Sequence, residues 1–171
     1  VQATVQPFHR FDTLKYTSLP ARNKVLGTNG AGLAIAFKSN SSLVQLKWCT
    51  NTLRPLPYLT PVSPRGFAIY TKVNGKWQFA GAIAPNAKCN DAAILKNLDG
   101  EEREYLLYLP TYDEVKSLEI GVDAKASVAA IKNPFAKKVV VYGSSIVQGA
   151  SASRPGLAYP ARLTRATGIN F

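Results

Sequence analysis

The sequence is poor in several residue types on which common functions depend. Its 171 residues include no methionine, two cysteines and one histidine, His9. Two cysteines by themselves do not make a metal site, and we expect neither a metal nor a cofactor. No apolar run approaches the roughly 18 residues that a membrane-spanning helix needs. The sequence therefore predicts no membrane span.

The start of the chain and its cysteines bear on the cellular compartment. The chain opens at Val1 with no initiator methionine and no charged-then-apolar leader. We expect that a signal peptide has been removed or that the chain begins inside a longer sequence. Cys49 and Cys89 can pair in an oxidising compartment. Cys49 follows Trp48 in a strand-like run, however, where a buried free thiol fits at least as well, so both states stay open.

Acidic residues are scarce, with 10 against 21 basic residues and a net charge of +11. Such a balance is compatible with nucleic-acid binding. The basic residues are scattered, however, and the densest acidic patch, at residues 99–104, interrupts them. No basic helix, aromatic RNA-binding signature or zinc-finger spacing accompanies them. We interpret the charge as solvated lysines on strand faces and expect no nucleic-acid partner.

The composition, 46% hydrophobic and 18% charged, is that of a globular protein with a buried core. Residues 33–37 and 44–48 alternate between apolar and polar side chains around a polar loop at residues 40–42. This pattern predicts a β-hairpin or adjacent antiparallel strands. The chain length of 171 residues allows one ordinary domain, or one domain with a fragment of a second.

A second hairpin is predicted around Asn74 and Gly75. This Asn-Gly pair separates the strand-like residues 66–70 from residues 76–79. Asn-Gly is the strongest short-range hairpin signal, because both central residues tolerate positive φ.

Further strands are predicted at residues 104–110 and 116–122, after a polar loop with a helical turn at residues 92–95. The proline-rich residues 54–61 are predicted to form an extended connection. Many short strands separated by glycine, proline and asparagine predict a mainly β fold. We expect an antiparallel, jelly-roll-like β-sandwich over residues 1–133.

The pattern changes beyond residue 133. Residues 139–142 form an apolar run that predicts a buried strand, a small-residue turn follows, and residues 159–167 predict a helix. Strand, turn and helix in this order are typical of α/β proteins, so we expect residues 134–171 to be the first part of an α/β domain. Such a turn can hold a reactive serine, although a plain connection of flexible small residues fits the pattern equally well.

A family resemblance covers nearly the whole chain. Residues 142–149, Tyr-Gly-Ser-Ser-Ile-Val-Gln-Gly, and the Ser-Arg-Pro-Gly at residues 153–156 resemble the first signature block of the SGNH (GDSL-type) hydrolases. They are most similar to a bacterial branch of that family, and residues 66–70 and 103–110 resemble its N-terminal β-domain. The resemblance implies a β-sandwich followed by the first strand, turn and helix of an α/β/α SGNH domain.

The resemblance implies that Ser145 is the nucleophile and that its backbone N–H belongs to the oxyanion hole. Its neighbour Ser144 stands where the commoner family pattern has aspartate, and it is a candidate hydrogen-bond donor. Gly143 and Gly149 are expected to permit the tight turn and the close packing of the next helix.

Gln148 and Arg154 are candidate substrate contacts near the proposed nucleophile. A glutamine that satisfies backbone groups of the turn, and an arginine on the surface, fit these two positions better. The supporting site residues are therefore Gly143, Ser144, Gln148, Gly149 and Arg154.

The chain contains no base for this serine. The family completes its site with a Gly-x-Asn-Asp block and an Asp-x-x-His pair, and neither motif occurs here. A serine nucleophile needs a base, and His9 lies outside any such motif. We therefore expect the remaining catalytic domain downstream in a longer enzyme, and little or no ester hydrolysis by this chain alone. The resemblance implies an ester substrate of the acylated-carbohydrate class, in the periplasm or outside the cell.

A function of another class stays open. The sandwich could be a non-catalytic carbohydrate-binding module in which Tyr58, Tyr70, Trp77 or Tyr108 stacks on a sugar. Two of these rings side by side on one surface would favour that function. A structural domain that shapes the entrance of a catalytic domain fits the alternating strands equally well.

Overall fold

The structure is a computed structural model that describes residues 6–51 and 58–171. Part of the proline-rich stretch at residues 54–61 therefore lies outside the described residues. The helices are α1 (Ala21–Gly27), α2 (Val62–Arg65), α3 (Ser145–Gln148) and α4 (Tyr159–Thr167), with a 3-10 turn at Pro155–Leu157. The strands are β1 (Ala34–Ser39), β2 (Val44–Thr50), β3 (Phe67–Val73), β4 (Lys76–Ile83), β5 (Cys89–Leu95), β6 (Arg103–Tyr108), β7 (Val115–Gly121), β8 (Val128–Ala130), β9 (Ala136–Lys138) and β10 (Ile169–Asn170).

Strands β1 to β8 form two antiparallel sheets. The larger sheet has the order β4-β3-β6-β1-β8, and the smaller has the order β5-β2-β7. Their inner faces meet in an apolar core, where Trp48 of β2 lies edge-to-face on Phe67 of β3 with ring centroids 5.5 Å apart. The predicted mainly β fold with an antiparallel sandwich is confirmed.

Residues 33–37 and 44–48 form neither the predicted hairpin nor adjacent antiparallel strands. β1 pairs with β6 and β8, whereas β2 pairs with β5 and β7, so the connection crosses from one sheet to the other. The Asp123 carboxylate accepts hydrogen bonds from both Ser42 and Ser41 in this connection, and these bonds lower the pKa of Asp123. Strands that face each other across a core alternate as paired strands do, so the pattern could not separate the two arrangements.

The hairpin predicted at Asn74 and Gly75 is confirmed. β3 and β4 are antiparallel neighbours, and the two turn residues have φ of 49° and 75°. The strands predicted at residues 104–110 and 116–122 are present as β6 and β7. The helical turn predicted at residues 92–95 is wrong, because these residues belong to β5, where pairing with β2 outweighs the helical tendency of Ala and Leu.

The two cysteines are bonded to each other. Cys49 and Cys89 lie directly opposite on β2 and β5, and they form a disulfide with Cα atoms 4.0 Å apart. A sequence separation of 40 residues hides this proximity from any local pattern. The structure thus decides the question that the sequence left open.

The larger sheet is covered on both faces. Along β3, Phe67 and Ile69 enter the sandwich core, whereas Ala68 and Tyr70 point to the opposite face. There they pack near Ala161 of α4, the helix that the sequence predicted at residues 159–167. The segment that carries Ser145 is therefore fastened to the outer face of the sandwich.

The buried strand predicted at residues 139–142 is wrong in position and in burial. The strand here is β9, Ala136–Lys138, which pairs in parallel with β10. Val140 is 84% exposed and Tyr142 is 96% exposed. A parallel strand is buried when neighbours flank it and helices cover both faces, and in the described part of the chain β10 is the partner of β9. The predicted domain boundary near residue 133 stays a prediction.

None of the helices described for residues 6–51 and 58–171 has the length and the apolar composition to cross a bilayer. Within the same ranges, no three His, Cys, Asp or Glu side chains are grouped so that they could hold a metal ion.

Candidate active site

Ser145 is the first residue of α3 and is exposed to solvent. Ser144 precedes it as the N-cap residue in an extended conformation, and its side chain caps no amide of the helix. The first amides of a helix have no intrahelical acceptor. The amide of Ser145 lies among them, at the N-terminal end of α3.

One turn later, α3 ends in a Schellman motif. The amide of Ala150 donates to the carbonyl of Ser145 at 2.8 Å, and the amide of Gly149 donates to the carbonyl of Ile146 at 3.1 Å. Gly149 has φ of 109°, in the left-handed region. A Cβ at this position would lie 3.0 Å from Cβ of Ala158, so the site requires glycine for both conformation and room.

The loop between β6 and β7 holds the turn of Ser145 from the side of the sandwich. The hydroxyl of Tyr112 donates to the carbonyl of Ser145 at 3.0 Å. In return, Nε2 of Gln148 donates to the carbonyl of Thr111 at 2.9 Å. Gln148 therefore satisfies a backbone group, and Gly143 lies against Val147, whose Cγ2 would be 2.3 Å from an added Cβ.

Two arginines pack against aromatic rings of the sandwich. The guanidinium of Arg154 lies 3.8 Å from the ring centroid of Phe79 on β4. That of Arg165 lies 3.8 Å from the ring centroid of Tyr70 and donates to the carbonyl of Gly156 at 2.6 Å. Cation–π contacts of this kind contribute about 0.5–2 kcal/mol each. Arg154 is half-buried against β4 and helps to dock its segment.

Tyr112 is a neutral hydrogen-bond donor. Burial raises the pKa of its hydroxyl, and the positive charge of Arg10 acts in the opposite direction with a smaller effect. The hydroxyl is therefore protonated at neutral pH. Tyr112 can donate to Ser145 across the whole range in which esterases usually work.

Two family comparisons cover the two parts of the chain. Residues 1–128 match the family described as the N-terminus of SGNH-hydrolase-type esterases, and residues 136–171 match the GDSL-like lipase/acylhydrolase family. The chain belongs to the SGNH-type hydrolases. The family resemblance of the sequence is thereby confirmed, although no curated protein matches the chain.

Solved structures agree with this family. A protein of Bacteroides ovatus assigned as a GDSL-like lipase is 54% identical, with a TM-score of 0.94 over 96% of this chain and 49% of its own. The salicylyl-acyltransferase SsfX3 from a tetracycline biosynthetic pathway is 18% identical, with a TM-score of 0.69 over 95% of this chain and 44% of its own. The second likeness shows the fold alone. This SGNH chain spans about half the length of both proteins.

His9, the single histidine of this SGNH chain, is paired with Glu114. Nε2 of His9 lies 2.8 Å from Oε1 of Glu114, which also lies 2.8 Å from Nζ of Lys116. Burial opposes ionisation of Glu114, but hydrogen bonds from Lys116 and His9 outweigh it and lower the pKa of Glu114. Within residues 6–51 and 58–171, no hydrogen bond joins His9 to Ser145.

The aromatic rings considered for sugar stacking do not form a shared exposed surface. Tyr70 and Tyr108 are 3% and 4% exposed, and they pack edge-to-face beneath α4 with centroids 5.6 Å apart. Trp77 is half-buried against Phe135. Tyr58 is 93% exposed. These positions give no support to the carbohydrate-binding module.

Thr111 and Tyr112 were missed by sequence reasoning. They lie in a loop without a motif, and Thr111 precedes its partner Gln148 by 37 positions, while Tyr112 precedes its partner Ser145 by 33. No signal in a single sequence could have found them, because the link to Ser145 is made only when the loop and α3 meet in space.

Substituting Gly149 is expected to lower both stability and activity. Gly149→Ala places a side chain in the left-handed region, at a cost of about 1–2 kcal/mol, and crowds Ala158 and Thr111, at a further 1–3 kcal/mol. Gly168→Ala is the matched control, because Gly168 ends α4 with φ of 73° and a Cβ there meets nothing within 4 Å. Thermal unfolding checks the difference. Equal losses in the two variants would contradict the close packing.

Proposed function

We propose that the protein is a serine esterase in which Ser145 is the nucleophile. The base takes the proton of its hydroxyl while the oxygen attacks the acyl carbon of an ester, and the alcohol leaves with that proton. Water then attacks the acyl-enzyme, gives a proton to the base and releases the acyl group as a carboxylic acid, and the base returns a proton to the serine. The observation that carries this proposal is an exposed serine at the first position of a one-turn helix whose backbone is tied to the sandwich. The match of residues 136–171 to GDSL-like acylhydrolases supports it.

The backbone amide of Ser145 is proposed to help to hold the oxyanion. One lost oxyanion donor typically costs on the order of 10²- to 10³-fold in rate. Ser144, Gly143 and Gly149 support the turn, and Gln148 and Arg154 contribute by docking it to the sandwich. The catalytic contribution of the last two is therefore indirect.

The base is proposed to come from residues outside this chain. Two observations support this: His9 is paired with Glu114, and the chain spans about half the length of its solved relatives. In this proposal residues 1–133 form the β-sandwich domain, and residues 134–171 begin the catalytic domain. We expect the chain alone to hydrolyse esters poorly or not at all.

The proposed substrate class is acylated carbohydrate, and the proposed location is the periplasm or the outside of the cell. The substrate class comes from the resemblance of residues 142–156 to the bacterial SGNH branch. The disulfide between Cys49 and Cys89 supports an oxidising compartment.

A fluorophosphonate probe tests the nucleophile in the full-length protein. We expect one covalent adduct, located by peptide mass spectrometry on the peptide that contains Ser145. The Ser145→Ala variant is the control and is expected to take up no probe. An adduct on another serine, or no adduct on a folded protein, would contradict the proposed role.

A further inference from the structure

The carbonyl oxygen of Ser145 accepts three hydrogen bonds. Two come from its own turn, from the amides of Gly149 at 3.0 Å and Ala150 at 2.8 Å. The third comes from the hydroxyl of Tyr112 at 3.0 Å, from a residue of the sandwich 33 positions away. The peptide group that follows the proposed nucleophile is therefore oriented in part by a side chain outside its own segment.

Tyr112 is itself held in place by the sandwich. Its amide donates to the carbonyl of Pro64 at 3.0 Å. The neighbouring Thr111 bonds through its hydroxyl to the carbonyl of Ser63 at 2.9 Å and accepts the bond from Gln148 at 2.9 Å. The Tyr112 hydroxyl is thus carried by a segment that cannot shift without breaking several bonds.

The hydrogen bond from Tyr112 lies at an exposed edge of this contact. An exposed hydrogen bond between neutral groups contributes little to folding, because water replaces the lost partner. Its effect on geometry can be larger, because a small displacement of a reacting group lowers the rate steeply. The bond is therefore better suited to orienting Ser145 than to stabilising the fold.

We propose that Tyr112 is a positioning residue for the reaction at Ser145. Its hydroxyl keeps the Ser145 peptide in one orientation, and through it the serine side chain and amide. The proposal rests on the proposed function of Ser145. Tyr112 acts through Ser145 and does not itself touch the substrate, so the sandwich takes part in catalysis from behind the nucleophile.

The first test is Tyr112→Phe in the full-length protein, with p-nitrophenyl acetate as substrate. We expect kcat and the rate of fluorophosphonate labelling to fall roughly 5- to 20-fold. KM and the melting temperature stay unchanged, because the phenyl ring keeps its packing. Tyr16→Phe is the matched control, since Tyr16 lies in the N-terminal segment and packs on Phe11. It is expected to leave kcat unchanged.

The second test removes the donor without changing the fold. Difluorotyrosine at position 112 has a hydroxyl whose pKa lies nearer to neutrality than that of tyrosine. Below that pKa the hydroxyl donates to Ser145, and above it the phenolate cannot. We expect kcat to fall as pH rises through this pKa in the fluorinated protein and not in the wild type. Arg10, whose positive charge lowers the pKa of the residue 112 hydroxyl, is present in both proteins, so it does not account for a difference between their pH profiles.

The outcomes separate this inference from the proposed function. Unchanged kcat and labelling in Tyr112→Phe, with Ser145→Ala inactive, overturns the positioning role and leaves the nucleophile. Full activity of Ser145→Ala overturns the nucleophile itself. If Tyr112→Phe lowers the melting temperature, the fluorinated protein decides: a pH profile like that of the wild type overturns the positioning role, and an added fall supports it.

Discussion

Replacing Ser145 by alanine in the full-length protein is expected to lower kcat for ester hydrolysis by roughly 10⁴- to 10⁶-fold. Without the hydroxyl no acyl-enzyme can form, and water must attack the substrate directly. The oxyanion donors and the binding contacts stay in place, so a residual rate above that in plain water remains. Initial rates with an activated ester, measured beside the wild type, check the size of the loss.

The neighbouring serine provides the control for this prediction. Ser144→Ala removes an adjacent hydroxyl that caps no helix amide, and we expect it to lower kcat less than tenfold. The two variants together decide which serine of the pair carries the reaction. A larger loss in Ser144→Ala than in Ser145→Ala would assign the nucleophile to position 144.

Removing the disulfide is expected to have the largest effect on stability. Cys49→Ser with Cys89→Ser opens a loop with a sequence separation of 40 residues. The chain entropy that the unfolded state regains corresponds to about 3–4 kcal/mol of unfolding free energy. For a chain of this length the melting temperature should fall by roughly 6–16 °C. Thermal unfolding followed by circular dichroism measures it.

A second pair on the same two strands controls for the loss of side-chain contacts. Lys47 and Asp91 are also directly opposite on β2 and β5, but they are exposed and not covalently linked. Lys47→Ser with Asp91→Ser should lower the melting temperature by only a few degrees. A reducing agent should destabilise the wild type to the level of the cysteine variant and leave that variant unchanged. A reduced wild type as stable as the oxidised one would contradict the prediction.

The sandwich contacts the segment that carries Ser145 both at α4 and at the turn of Ser145. α4 docks through Ala161 and Arg165, and the turn of Ser145 docks through Tyr112. Each of these contacts joins a residue after position 133 to the outer face or the edge of the sandwich. The sandwich therefore directly supports the segment that carries Ser145.

Sequence patterns predicted turns and helices correctly where interactions between neighbouring residues determine the structure. Asn74 and Gly75 form a hairpin because both accept positive φ, and residues 159–167 form a helix. Residues 92–95 were wrongly predicted as a helical turn, because pairing with β2 makes them part of a strand. Residues 139–142 were wrongly predicted as a buried strand, because in the described part of the chain no layers cover them.

The candidate site was predictable only in part. The motif around Ser145 identified the family, because its glycines and serines are adjacent in the sequence. Whether Ser145 acts as the nucleophile stays a prediction. The surroundings of Ser145 could not be predicted, since Tyr112 and Thr111 reach it from another part of the chain.

The sequence by itself determined several of the strand-forming segments, the Asn-Gly turn, the final helix and the family. These follow from turn chemistry, side-chain alternation and a contiguous motif, all of which act between close neighbours. Only the tertiary structure decided that β1 and β2 belong to different sheets, that Cys49 bonds to Cys89, and that Tyr112 holds Ser145. These contacts join residues that are distant in the chain, and burial of a shared core selects them among many pairings with the same local pattern.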